Sequence, residues 1–204
     1  MIFFNLIYFV FLPLLIGCSM YGWGSILLNN RFHEYLSINI IFGMSTTLFF
    51  GGLLNYFQLA DYKSINIIFF IGLFFFLLKI YNNFKTFKFK LFFEKQIKVY
   101  LALILPLFLL AAHIISLTKL NTHNYHDDYQ MYFVHPIKML ETGTFYGSTL
   151  SSIGQITLGG QAFFQSFFIS WFGVGAINIF DSIFCLSICV LLIIEVSFKQ
   201  KTPF

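Results

Sequence analysis

Residues 65–81 read INIIFFIGLFFFLLKIY, with one lysine close to the far end and one asparagine close to the near end. About 20 apolar residues of helix cross the hydrocarbon core of a bilayer, and this run is flanked by others of the same kind. Working outward, similar stretches cover 2–28, 36–60 and 97–117. Two more follow after a polar interval, 156–174, which is interrupted by Gln161 and Gln165, and 177–198. Hydrophobic residues make up 58% of the 204 residues, charged residues only 10%, and the mean hydropathy is +0.82. An ordinary soluble domain carries about 25% charged residues. A chain of this size has too high a surface-to-volume ratio to hide so much apolar surface from water. A soluble enzyme, a disordered region and a nucleic-acid-binding domain are therefore excluded as readings. The expected fold class is an all-α integral membrane protein with about six transmembrane helices and an external juxtamembrane helix after the fourth. The 31 phenylalanines accompany abundant Ile, Asn and Lys, so they reflect a compositional bias rather than an aromatic site.

The direction of insertion follows from where the positive charge lies. The net charge is only +4, but six of the twelve Lys and Arg residues fall between Lys79 and Lys98, centred on Lys85, Lys88 and Lys90. Basic residues in short loops stay on the cytoplasmic side, which puts this loop inside the cell. Alternation then places 29–35 inside, and the N-terminus, 61–64 and 118–155 outside. Lys199 and Lys201 conflict with this order, because they would end outside if 156–174 crossed the membrane. The interleaved lysines and aromatics of 85–95 are read as the topology determinant, not as a nucleic-acid surface. The organisation expected is 1–117 as four N-terminal spans, 118–155 as an external loop, and 156–204 as two further spans.

Several features within the runs have structural readings. Gly43, Thr47 and Gly51 recur every fourth residue, a ridge of small side chains that lets helices approach closely. Pro106 is expected to kink the fourth span, and Lys79 to snorkel toward a membrane face. Asp181 and Glu195 sit near opposite ends of the last run, and His113 sits about one turn inside the outer end of the fourth. Cys18, Cys185 and Cys189 lie in apolar runs and read as packing residues rather than a disulfide or metal pair. Leu15-Ile16-Gly17-Cys18 has the form of a lipoprotein cleavage box, but no Lys or Arg precedes it, so an uncleaved first helix is the better reading.

The external loop carries the chemistry. His123, His126, Asp127, Asp128 and His135 fall within 13 residues, while the rest of the chain holds only six further acidic residues. From about Asp127 the spacing is helical: Asp128, Tyr132 and His135 share a face. The two carboxylates stand at the N-terminus, where the helix dipole favours them. Gly143 is a natural C-cap, Pro136 a candidate bend, and Met131, Val134, Ile137, Met139 and Leu140 an apolar face for lying on the membrane. Two adjacent carboxylates have two chemical uses. One can serve as a general base whose proton affinity is raised by its neighbour. The pair can instead hold a divalent metal ion that neutralises a phosphate, with His126 as a further ligand.

The pattern Asp127-Asp128-x3-Tyr132-x4-Ile137-Lys138-x2-Glu141-x-Gly143-x-Phe145 resembles the first external loop of the GT-C superfamily of polytopic glycosyltransferases, in particular a bacterial branch with extra leading spans. The resemblance covers roughly 125–183. It implies a sugar transferred from a polyprenyl-phosphate donor at the outer face of the membrane to a glycan or lipid acceptor. It implies Asp128 as the catalytic base with Asp127 assisting or sharing the metal, and Tyr132, His135 and Lys138 as contacts to donor sugar or phosphate. Members of that superfamily are longer, so the expectation is an N-terminal portion whose remaining part a second chain could supply. Two other readings stand beside it. The first is a membrane scaffold or inactive fragment without catalysis. The second is a cation-transporter subunit with an external site built from His123, His126, Asp127 and Asp128.

Overall fold

The computed structural model describes residues 2–28, 35–86, 108, 133–146, 159–177 and 179–200, and all regular structure among them is helical. Three long helices come first: α1 (Ile2–Leu27), α2 (Leu36–Tyr56) and α3 (Tyr62–Thr86). Two short ones follow, α4 (Val134–Thr142) and α5 (Gly160–Phe172). A single 3-10 turn, Val174–Ala176, leads on to a π-helical segment, Ile179–Cys185, which continues directly into α6 (Leu186–Gln200). Among the described residues three stretches are long and apolar enough to cross a membrane: Leu36–Tyr56, Tyr62–Asn82 and Val174–Ser197; Phe11–Leu27 of α1 is a shorter apolar helix. Only 22% of Tyr62–Asn82 is buried within the protein, and the outward face carries Ile67, Phe70, Phe74 and Leu77 at more than half exposure. That face is apolar where a water-soluble helix would be polar.

Helix α1 is the axis of the bundle: α2 and α3 each pack along it and scarcely touch one another. The small-residue ridge explains how. A Cβ on Gly43 would overlap the carbonyl of Met20, one on Gly24 would overlap that of Asn39, and one on Gly22 would overlap that of Gly72. Backbones therefore meet where side chains would normally keep them apart. Polar side chains join the same seams. Ser19 Oγ donates to the Phe69 carbonyl at 2.9 Å, and Trp23 Nε1 donates to that of Ile68 at 3.0 Å. Thr47, the middle of the predicted ridge, is fully buried, and its hydroxyl reaches Met20 Sδ at 3.3 Å.

The last helix closes the bundle at the end where α2 begins. Glu195 of α6 accepts from the backbone N–H of Leu36 at 2.8 Å and of Ser37 at 3.1 Å, and also from the Ser37 hydroxyl. The first N–H groups of a helix have no partner within it, and Tyr35 at the N-cap gives no side-chain cap. A carboxylate from another helix fills that role, at the end where the helix dipole favours negative charge.

The fifth run expected from the sequence is changed most. The helix there is 13 residues, not 19, because Gly159 adopts a left-handed conformation (φ 66°) at its start and Gly173 another positive φ (71°) at its end. Thirteen residues rise about 20 Å, short of the roughly 30 Å hydrocarbon core. The fourth expected run, apart from Phe108, lies outside the described residues, and so does Pro106.

Candidate functional site

The chain after α4 is docked on the turn between α2 and α3. Gly143 supplies the C-cap expected of it: its φ is 76°, and its N–H donates to the Met139 carbonyl at 2.9 Å. Its own carbonyl accepts from the Ala60 N–H at 2.8 Å, and any Cβ there would overlap the Gln58 carbonyl. Asn55, 4% exposed at the end of α2, completes the dock. Its Oδ1 accepts from Phe145 N at 3.0 Å and from Thr144 Oγ1 at 3.1 Å. The Phe145 ring is 1% exposed, and a Cβ on Gly159, at the start of α5, would collide with it. On the other side of the turn, Asp61 Oδ1 accepts from the Ser64 N–H at 2.9 Å and caps α3. That backbone hydrogen bond holds the Asp61 carboxyl below its ordinary range.

Helix α4 is short but well anchored. Met139 and Leu140 are each 1% exposed and pack with α5, so this part of its apolar face is covered by protein rather than left free to lie on a bilayer. Pro136 sits in the first turn, where its missing N–H is one of the unpaired donors in any case, and the helix runs through it without a break. The regular helix begins at Val134, after Phe133.

His135 and Lys138, three residues apart on α4, are the two expected site residues that the structure describes. His135 is 8% exposed, and neither ring nitrogen has a hydrogen-bond partner among the described residues. Burial, and then the nearby Lys138 charge, hold its pKa below the ordinary 6.5, so the ring is neutral near pH 7. A neutral imidazole offers one donor and one acceptor, a pair suited to a hydroxyl. The Lys138 ammonium donates to the Tyr146 carbonyl at 2.7 Å, which brings the charge to the docked loop and leaves two of its three donors unused among the described residues. His126, Asp127, Asp128 and Tyr132, together with His123, lie outside the described residues. Among the described residues no group of three or more His, Cys, Asp or Glu side chains gathers where a metal ion could be held.

The residue that sequence reading missed is Asn55. Its signal was register: it continues Gly43, Thr47 and Gly51 by one more step of four. The two glutamines that interrupt the fifth run are also paired. Gln161 Nε2 and Gln165 Nε2 both donate to Asp181 Oδ2, at 3.0 and 2.9 Å. No protein family, curated protein or solved structure matches the chain.

Proposed function

We propose that the chain is a multi-pass membrane glycosyltransferase of GT-C type. It would transfer a sugar from a polyprenyl-phosphate donor at the outer face of the membrane. The observation that carries this reading is the anchoring of α4. The acidic motif leads into a helix whose C-terminal end is fixed to the α2–α3 turn through Gly143, Thr144, Phe145 and Asn55. A base can act only if it is held within hydrogen-bond reach of its substrate, and an anchored helix starting six residues after Asp128 supports this reading. Lys138 is a compact positive charge for a donor phosphate, and His135 is a neutral hydrogen-bonding group for a sugar hydroxyl. Asp128 is the base that takes the acceptor proton. Asp127 tunes it or shares a divalent metal with it and His126.

The same reading assigns the ends of the bundle. The α2–α3 turn and the docked loop face outward, while the end where Glu195 meets Leu36 faces the lysine-rich loop inside. Because α5 is too short to cross, α6 runs inward, and Lys199 and Lys201 join the other lysines on the cytoplasmic side. The pairing of Glu195 with the start of α2 supports this order and removes the conflict left by six full spans.

Complementation of a surface-glycan defect tests the function. Asp128→Asn keeps size and hydrogen-bonding shape but cannot accept a proton at neutral pH, and loss of a general base costs about 10² to 10⁴ in rate. The expected result is no complementation at normal protein level, with Asp127→Asn milder and Tyr132→Phe milder still. Full complementation by Asp128→Asn removes the catalytic role and leaves a scaffold, since Asn caps a helix nearly as well as Asp.

A further inference from the structure

Asp181 lies on the outward surface of the bundle, yet along the bundle axis it stands about two turns inside the nearer end. Two independent measures agree. Glu195, fourteen residues further along, is level with Leu36, which puts Asp181 about 20 Å from that end of a bundle whose α2 is about 31 Å long. Gln161, which donates to Asp181, follows Gly160, and Gly160 stands against Leu48, eight residues or about 12 Å short of Tyr56. Both place the carboxylate about 10–12 Å inside the outer end, within hydrocarbon if the chain crosses the membrane.

The group is built rather than incidental. Gln165 is 5% exposed, and it and Gln161 aim their amide N–H groups at the same oxygen, Oδ2. Oδ1 receives no hydrogen bond among the described residues, and no cationic side chain pairs with Asp181 there. The residue sits in the π-helical segment Ile179–Cys185, and such irregular turns concentrate at functional positions. Below it, at steps of four, come the half-buried Cys185 and the exposed Cys189 and Ile193, a stripe narrow enough at the cysteines for another helix to approach. Acidic groups at membrane depth are expected to face a partner. A phosphate-bearing lipid is repelled by this charge, whereas a lysine or arginine complements it.

We propose that the Asp181–Cys185–Cys189–Ile193 face is the docking surface for a transmembrane helix of a second chain, which carries a lysine or arginine about two turns from its outer end. The carboxylate accepts from the cation through Oδ1 while Gln161 and Gln165 hold Oδ2, so the pair is formed with its orientation already fixed. The proposal rests on the membrane-spanning reading.

The test uses the full chain, with Cys18, Cys185 and Cys189 replaced by alanine and a fluorophore on Lys63→Cys, exposed at the start of α3 and outside the proposed face, reconstituted in phosphatidylcholine vesicles. The probes are synthetic leucine-rich transmembrane peptides with a lysine, a glutamate or a leucine about 10 Å from one end. Energy transfer should show the lysine peptide binding at least ten-fold tighter than the leucine peptide. Asp181→Asn should abolish that preference, and Asp181→Lys should transfer it to the glutamate peptide. Equal binding of lysine and leucine peptides by a chain that resists alkaline carbonate extraction overturns the docking surface alone. A chain that carbonate extracts overturns the membrane reading and the docking surface with it. Disulfide pairing of Cys189 between two copies of the unsubstituted chain assigns the face to self-association and also overturns the proposal.

Discussion

Asn55 Oδ1 joins α2 to backbone and side chain some 90 residues later, and two predictions belong at this scale. In Asn55→Leu the Phe145 N–H and the Thr144 hydroxyl lose their acceptor while still buried, at a cost of about 1–3 kcal/mol for each buried group left unsatisfied. Hydrogen exchange at the Phe145 amide should accelerate by about ten-fold or more, whereas Asn55→Asp, which keeps an acceptor oxygen, should retain more protection. Unchanged exchange in the leucine variant would mean that the dock is held by other contacts. His135 gives a pH dependence of definite sign. Its folded pKa lies below the ordinary 6.5, so its contribution to stability is fully present above 6.5. As pH falls, the unfolded chain takes up the proton first and that contribution is lost, with a slope of at most about 1.4 kcal/mol per pH unit. Unfolding midpoints in detergent between pH 7.5 and 5.5 should fall in the parent protein and fall less in His135→Phe. Asp61 titrates below this window and does not confuse it.

Among the elements, the seam between α1 and α2 depends on two backbones in contact. Gly43→Val places three carbons where the Met20 carbonyl stands, so the helices must separate along the whole seam, and overpacking of this kind costs about 1–3 kcal/mol or more. Gly52, on the same helix, has nothing within 4 Å of a built Cβ. Gly52→Ala should be neutral or stabilising by about 0.5–1 kcal/mol, since alanine loses less backbone freedom in a helix. Thermal stability of the two variants in the same detergent separates the cases; equal losses would show that the seam does not set stability. The ridge was legible in the sequence because steps of four put residues on one face of any helix. Which neighbour each small residue meets was not legible: Gly43 meets α1, whereas Gly51 meets the Phe163 ring of α5.

For the whole molecule, the decisive measurement is orientation. In a chain lacking its own cysteines, single cysteines placed at Lys88 and Gln200 should be labelled only after the membrane is opened, and one at Asn124 should be labelled in intact cells. Labelling of Lys88 without Asn124 in intact cells would reverse the orientation and take the outer-face site with it. Labelling of Gln200 from outside would show that α5, short as it is, still carries the chain across.

Hydropathy alone placed apolar runs at 36–60 and 65–81, close to the helices Leu36–Tyr56 and Tyr62–Thr86, because burial of apolar length is a one-dimensional property of a chain. Gly143 was legible as a cap for a similar reason: only glycine takes its left-handed conformation freely. The shortening of the fifth run, the seating of Glu195 on the start of α2 and the clamp at Asn55 were decided by tertiary structure. A left-handed Gly159 is worth adopting only because Phe145 fills the space its missing side chain leaves. Glu195 and Asn55 read locally as stray polar residues in apolar runs. Their roles exist only where distant backbone groups, left unpaired at a helix start and a loop, come within hydrogen-bond reach.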